Sequence, residues 1–414
     1  MASQPTKLQV FVVGSGLAGL AAARVIREHH TVTIYERAGY NAATGGQGIA
    51  LNPNAIKILD SIGFDRDRAG GVRTSGYRSY DKDGRMRVDF EADFVARYGA
   101  DILTFKRSDF REELLRLATA PSDELGIPVN PVKAVFNNGV VDIDPGKGTV
   151  TLKDGSVHKG DIIVVADGIH SNLRSRVIGN DQHAPKKMGL TCFRMAITAE
   201  KAKDALGELP DWWDPGASKS RACMIEARDE SGRFIVAYAL RHGKYMNLSF
   251  VFPTRQDRAG TEDSWYEEAD RGEVLEMFGD FYDPIPKLIR VAEEVKMWDL
   301  QDIDPLPTFT AGRAILIGDA AHAMTPMQGQ GGNMAVEDAE AFRLLTAGMS
   351  RDDVPDTLKQ MESIRRPRTA QILKDTRAIS EGMSLEGSIS KMDYNMSYKG
   401  IHDALEKAQQ ATST

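Results

Sequence analysis

Only two cysteines, Cys192 and Cys223, occur in 414 residues. Two thiols in so long a chain make no disulfide framework. They also lack the clustering with histidines that a zinc site needs, so two reduced thiols are expected. Long apolar runs are missing too. No stretch approaches the roughly 20 apolar residues of a membrane span, and the longest, such as 162–166, are strand-length. Residues 1–7 are polar and lack the apolar core of a signal peptide. A cytoplasmic protein without a membrane span is the expectation. An excess of positive charge is absent: 52 basic against 59 acidic side chains leave a net charge of −7. With no basic run interleaved with aromatics, a dedicated nucleic-acid binder is not expected. No internal repeat is visible.

What is present is an ordinary globular composition, 42% hydrophobic, in a chain long enough for two cores. Residues 8–13 form a short apolar run that ends in glycine and reads as a buried parallel strand. Residues 17–28 are rich in alanine and leucine and read as a helix, and 31–36 as a second strand, which makes one βαβ unit. Between strand and helix lies Gly14-Ser15-Gly16-Leu17-Ala18-Gly19, a G-x-G-x-x-G in the context that gives the pattern meaning. Gly14 permits the tight turn, Gly16 lets backbone approach a pyrophosphate, and Gly19 lets helix pack on strand. Glu36 ends the second strand, where a carboxylate accepts ribose hydroxyls and repels a 2′-phosphate. A dinucleotide of the NAD or FAD kind follows. Arg37 is next in the chain at the same corner.

Further along, 53–59 reads as a helix closed by Gly63, and 108–118 as a helix with Ser108 as N-cap. Residues 140–143 and 149–152 flank an Asp144-Pro145-Gly146 turn, and 161–166 returns as a buried strand. From about 188 to 299 strands alternate with polar turns. Residues 234–240 and 245–252 flank His242-Gly243-Lys244, a hairpin signal, and 73–94 carries a similar pair around Lys82-Asp83-Gly84. The buried-strand pattern recurs at 314–317, followed by a glycine-rich loop and a helix over 333–346. The rest, beyond Val354, is helical and charged. The expected fold class is α/β: a Rossmann-type dinucleotide domain (1–72, 100–187, 300–350), an inserted α+β substrate domain on an antiparallel sheet (73–99, 188–299), and a helical C-terminus (351–414).

Two later segments choose between the nucleotides by resemblance. Asp167-Gly168-Ile169-His170-Ser171-Asn172-Leu173-Arg174 resembles the D-G-x-x-S-x-x-R motif of flavoprotein hydroxylases. Gly318-Asp319-Ala320-Ala321-His322, with Pro326, Gly329-Gln330-Gly331, Asn333 and Glu337-Asp338-Ala339, resembles their G-D motif. The segment from Gly48 and Ile49 to Ala55 is similar to the loop beside the flavin in salicylate-hydroxylase-like members. The three matches occur in order across residues 8–345 and point to the group A flavoprotein monooxygenases, the FAD-dependent aromatic hydroxylases.

The resemblance implies a bound FAD and a transient NADPH or NADH. It implies FAD contacts by Gly14, Gly16, Leu17, Ala18, Glu36, Arg37, Gly48, Ile49, Arg107, Asp167, Asp319, Pro326, Gly329, Gly331, Gly332 and Asn333. The physics agrees at several of these. Asp319 follows a buried strand at a glycine, and Gly329, Gly331 and Gly332 let backbone lie against a flat ring. The helix near Asn333 aims its positive end at that ring. For Arg174 a structural ion pair stands beside ligand contact, and His322 reads as structural or cofactor-adjacent more than as a base. No second G-x-G-x-x-G in a strand–helix context is present, so the pyridine nucleotide is expected in a groove.

The reaction implied is insertion of one oxygen atom from dioxygen, through a flavin hydroperoxide, into a phenolic or polycyclic small molecule. Cys192-Phe193-Arg194 is similar to a W-R segment of fungal relatives, and Tyr238-Ala239-Leu240-Arg241 to their Y-P-L-R. Arg194 and Tyr238 are therefore the candidate catalytic residues. An ordinary core tyrosine is the alternative for Tyr238, because Phe234, Val236, Tyr238 and Leu240 share one strand face. Alternatives for the whole chain are an epoxidase of an alkene or indole, an isoprenoid reductase, and a non-catalytic FAD-binding protein. No metal, nucleic-acid or membrane partner is expected.

Overall fold

The computed structural model of the chain describes residues 7–41, 48–127, 130–255, 267–292, 294–380 and 385–412. Strand Gln9–Val13 is apolar and partly β-branched, and four of its five residues are fully enclosed. Such a strand is stable only with partners on both sides and cover on both faces. It pairs in parallel with Thr31–Tyr35 on one side and Ile162–Val165 on the other. The full six-stranded sheet runs Thr310–Ala311, Ala314–Leu316, Ile162–Val165, Gln9–Val13, Thr31–Tyr35, Lys133–Val135. All its pairs are parallel except the outermost hairpin. Helix Leu17–Ile26 packs its small-residue surface on helix Gly331–Ala341, and leucines, valines and isoleucines of strands and helices form one core. A three-stranded sheet of Val140–Asp144, Thr149–Leu152 and Val157–Lys159 lies to the side.

The second sheet has ten strands. Along its main path these are Glu267–Glu268, Lys296–Asp302, Lys186–Thr198, Tyr245–Pro253, Phe234–Leu240, Ser220–Glu226, Val72–Asp81, Ile102–Lys106 and Gly48–Leu51, with Met86–Glu91 beside Val72–Asp81. Most pairs are antiparallel, with one parallel join between Ser220–Glu226 and Val72–Asp81. One face carries a core of Phe193, Ile225, Ile235, Phe250 and Phe278, roofed by helices Ala199–Leu206, Arg271–Phe278 and Ile285–Val291. On the other face Cys192, Val251, Trp298 and Leu300 receive Met327 from the glycine-rich loop. That second face meets the dinucleotide domain.

Three expectations need correction. Strands Gly48–Leu51 and Ile102–Lys106 hydrogen-bond into the ten-stranded sheet, although they fall within the expected dinucleotide segments. Their long-range pairing with each other and with Val72–Asp81 decides their sheet. Ser108 is not a helix cap: the strand ending at Lys106 turns directly into helix Arg107–Thr119, and the Ser108 hydroxyl donates to Asp109. The helix expected over 333–346 spans Gly331–Ala341, with two glycines in its first turn, and a 3₁₀ turn, Phe342–Leu344, ends it. The helical C-terminus consists of Val354–Ser380, Leu385–Met396 and Ile401–Thr412.

Candidate active site

The G-x-G-x-x-G turn is built around two tight approaches and one open face. Gly14 has φ +100°, and a Cβ there would lie 2.5 Å from the Ala166 carbonyl oxygen. A Cβ on Gly19 would lie 2.1 Å from the Gly14 carbonyl oxygen. Gly16 is different: nothing lies within 4 Å of where its Cβ would be, and it is exposed. The first two glycines are therefore required by the fold, and the third leaves backbone open to a ligand. Leu17 is in the core, and Ala18 touches the G-D loop, where a Cβ on Gly318 would meet Ala18 Cβ at 2.7 Å. Glu36 Oε2 accepts from the Ser15 N–H at 2.7 Å and the Ser15 hydroxyl at 3.0 Å, and its Oε1 from the Ala38 N–H at 2.9 Å. A carboxylate has about four lone-pair sites, so Glu36 is fixed by the loop and retains capacity for a hydroxyl. Arg37 is exposed beside Gly139.

The two later motifs meet at the ends of the neighbouring strands. Asp167 follows Ile162–Val165, and its buried Oδ1 has no hydrogen-bond partner. Burial pushes its carboxyl above the ordinary range. Arg174 forms no ion pair among the described residues. It donates to the carbonyl oxygens of Ile169 at 2.7 Å, Ala320 at 2.8 Å, His183 at 3.2 Å and Asp319 at 3.4 Å. It staples the D-G segment to the G-D segment and thereby holds Asp319. The Asp319 side chain is exposed at the start of a short turn of helix, after Gly318 at φ +58°. His322 lies behind it, buried, at 2.6 Å from Asp338 Oδ2, which also accepts the Gly318 N–H at 2.8 Å. That placement makes His322 a structural residue.

Past Pro326, exposed at the head of a 3₁₀ turn, Gly329 takes φ +62° with open space at its Cβ position. Gly331 is nearly as open, whereas a Cβ on Gly332 would press into Ile49. Asn333 follows in the first turn of helix Gly331–Ala341. Its side chain is spent inside the protein: Oδ1 accepts from the Asn52 N–H at 2.7 Å, and Nδ2 donates to the Gly329 carbonyl at 2.6 Å. Its amide side chain ties the Gly48–Leu51 segment to the glycine loop. What remains for a ligand is backbone: the first N–H groups of helix Gly331–Ala341 have no partner within the helix.

Around this loop gather four side chains from separate elements. Arg107, half-buried at the start of its helix, makes no hydrogen bond or ion pair among the described residues. Burial lowers its pKa; Asp319 opposes that, Arg194 adds to it, and Tyr238 opposes it. Arg194 lies over the Trp298 ring, 4.5 Å from its centroid, and its buried Nε has no partner. Phe193 points the other way, into the core, stacked on Phe252. The Tyr238 ring packs against Gly48, whose Cβ would fall 2.8 Å from the hydroxyl oxygen. Burial pushes the Tyr238 phenol up, so it is protonated near neutrality; Arg194, Cys192 and Arg107 modulate the shift. The core face of its strand is Ile235, Ala237 and Ala239. Tyr238 is therefore on the opposite face and is no core tyrosine.

Two residues of this constellation escaped the sequence reading. Arg111 donates to the Ser15 carbonyl at 3.0 Å and the Ser15 hydroxyl at 2.8 Å, gripping the glycine turn from outside. It lies four residues after Arg107, on the same helix face, and that spacing was the available signal. Trp298 arrives from strand Lys296–Asp302, with nothing local to mark it.

The arrangement fits FAD: an open phosphate turn, a carboxylate at each ribose-like position, an orphaned Asp167 oxygen and a glycine loop opposite a sheet face. The family model described as FAD binding domain matches residues 7–376. Hispidin-3-hydroxylase from Neonothopanus nambi is 32% identical over 89% of this chain and 87% of its own. The 6-hydroxynicotinate 3-monooxygenase of Bordetella bronchiseptica is 29% identical over 88% and 90%. A salicylate hydroxylase substrate complex superposes with TM-score 0.75 at 22% identity, covering 97% of both chains, and CtdE in complex with FAD and a substrate with 0.79 at 19%, covering 98% of both. No helix among the described residues is long and apolar enough to cross a membrane, and no group of three or more metal-ligating side chains occurs among them. The chain belongs to the FAD-binding-domain family and is an FAD-dependent monooxygenase.

Proposed function

We propose that the chain uses NADPH or NADH to hydroxylate an aromatic, phenol-type small molecule held between the glycine loop and the second face of the ten-stranded sheet. The observation that carries this reading is the convergence of Arg194, with its orphaned buried Nε, and Tyr238, on the face away from the core, beside Gly48. When bound, FAD supplies the reduction by pyridine nucleotide and the activation of dioxygen. The protein supplies binding, orientation and exclusion of water. Gly14, Gly16, Leu17 and Ala18 present backbone to the pyrophosphate, with Asp167 nearby. Glu36 and Arg37 take the adenosine side, and Asp319 and Arg107 the ribityl side. Gly48, Ile49, Pro326, Gly329, Gly331, Gly332 and the backbone of Asn333 frame the ring.

A guanidinium keeps its charge even where partly buried, and Arg194 thereby favours the phenolate over the phenol and makes the ring electron-rich. Tyr238 keeps its proton and donates a hydrogen bond to a substrate oxygen. Neither residue needs to move a proton; both fix which ring carbon faces the cofactor. The test is anaerobic stopped-flow reduction of the yellow enzyme by NADPH and by NADH, with and without phenols, followed by oxygen uptake and product mass. Phenol-stimulated reduction and a product heavier by one oxygen are expected. Reduction that yields only hydrogen peroxide with every phenol tried overturns the reading.

A further inference from the structure

Arg194 is held at the second face of the sheet without a negative partner. Cys192 and Arg194 alternate along their strand with Phe193 and Met195, which point into the opposite core. Arg194 is half-buried and forms no ion pair among the described residues. The groups around it are neutral or of its own sign. Burial raises the Cys192 pKa, so that thiol stays protonated beside the guanidinium. Tyr238 keeps its proton for the same reason. Arg107 is near enough for the two positive charges to oppose each other. An arginine has several flexible bonds, and with a like charge nearby and no carboxylate it would turn towards water.

What fixes it is an aromatic ring on the next strand. Cys192 is paired with Trp298 and Arg194 with Lys296, so Trp298 and Arg194 are diagonal neighbours, within reach of long side chains. The guanidinium carbon lies over the indole, 4.5 Å from its centroid, inside the range of a cation–π contact. The indole itself is only 8% exposed, wedged in a cluster with Cys192, Val251 and Leu300. Met327 of the glycine-rich loop packs on that same cluster, so the platform under Arg194 is referenced to the loop that frames the flavin. The choice of a ring has a chemical consequence. A carboxylate would occupy two N–H groups and cancel the charge. An aromatic face attracts the cation through its quadrupole and consumes no N–H donor.

We propose that Trp298 is a positioning residue, whose indole holds the Arg194 guanidinium by a cation–π contact and leaves its charge and donors for the oxygen of a phenolate. The inference rests on the proposed function for the identity of that ligand. Trp298 thereby makes the site selective for acidic phenols, although the ring acts only through Arg194.

The oxidised holoenzyme is titrated with 4-methylphenol, 4-chlorophenol and 4-cyanophenol, which rise in acidity at similar size. Dissociation constants are read from perturbation of the flavin absorbance. The wild type is expected to bind 4-cyanophenol at least about tenfold more tightly than 4-methylphenol. Trp298→Leu is expected to cut that preference to about twofold, and Trp298→Phe to keep more of it, because indole is the stronger cation–π partner. Trp298→Leu also opens a cavity. The measurement is therefore repeated with 5-fluoro- and 5,7-difluorotryptophan placed at position 298, which weaken the quadrupole at nearly constant shape. The preference should fall stepwise with each fluorine. In an Arg194→Met background, Trp298→Leu should change it no further. A ring that merely fills space would ignore fluorine, weaken all three phenols alike, and add to Arg194→Met. Any of those results overturns the proposal and leaves the phenol reading standing. A wild type that binds the three phenols equally or not at all, or an Arg194→Met variant that keeps the full preference, overturns the phenolate reading and the proposal with it.

Discussion

Replacing Arg365 by methionine tests how the helix at the flavin edge is held. Arg365 is 3% exposed and donates through Nε to Asp338 at 2.9 Å, through Nη1 to Glu337, and through Nη2 to the Met334 carbonyl at 3.2 Å. Glu337 and Asp338 are on helix Gly331–Ala341 and are buried. Burial alone would raise both carboxyls, yet Arg365, together with Arg368 at Glu337 and His322 at Asp338, holds them below their ordinary values. Removing one partner from a buried pair costs about 3–5 kcal/mol. The lower end applies here. Glu337 keeps Arg368 at 2.7 and 2.8 Å and the Asn54 amide at 2.7 Å, and Asp338 keeps His322. The expected loss is thus about 3 kcal/mol, read by urea unfolding at pH 7 with FAD in fixed excess. The pH dependence has a definite sign. Carboxyls depressed in the folded state stabilise it above their unfolded pKa of about 4, and that contribution disappears as pH falls through the folded values. The gap between wild type and Arg365→Met should therefore narrow below about pH 4. A loss under about 1 kcal/mol at pH 7, or a gap that widens on acidification, refutes the reasoning.

Gly14→Val and Gly16→Val should separate fold from ligand. The first places Cβ 2.5 Å from Ala166 at φ +100° and should fail to fold stably; the second meets nothing within 4 Å and should melt like the wild-type apoprotein but lose FAD. Equal behaviour of the two would contradict the assigned roles. Asp319→Asn should retain the fold and release FAD more readily, by roughly ten- to a hundredfold for loss of a charged acceptor worth roughly 1.5–3 kcal/mol; equilibrium dialysis with an unchanged constant counts against it. Arg194→Ala should remain yellow and divert reducing equivalents to hydrogen peroxide; an unchanged ratio of product to NADPH consumed sinks its assignment.

The parts of the fold that are local in sequence were legible. The βαβ unit and its glycine turn depend on residues within one short segment, and the G-D loop carries its glycines beside its carboxylate. What depends on distant partners was not. Strands Gly48–Leu51 and Ile102–Lys106 choose their sheet by pairing that no local pattern encodes. Phe234–Leu240 is apolar on both faces, so alternation alone did not tell which side is core; the small residues Ala237 and Ala239 mark it, because the bulky Phe250 and Phe278 fill the space opposite. Asn333 and Arg174 matched ligand-binding motifs, yet both spend their side chains on the protein's own backbone. A motif position constrains geometry, and whether the side chain or the main chain meets the ligand is decided by what surrounds it.

The order in which the central sheet is assembled has a consequence for synthesis. Gln9–Val13 finds Thr31–Tyr35 almost at once, but its other neighbour is Ile162–Val165, which in turn waits for Ala314–Leu316. Glu337 and Asp338 then wait for Arg365 and Arg368. A chain emerging from the ribosome thus displays its nucleotide turn first and completes the pocket's far wall last. Until then an apolar strand edge and two uncompensated carboxylates stand open. Contacts closed over such separations form slowly and leave sticky intermediates. Supplying FAD during expression should therefore raise soluble yield by capturing each chain as its last helix docks.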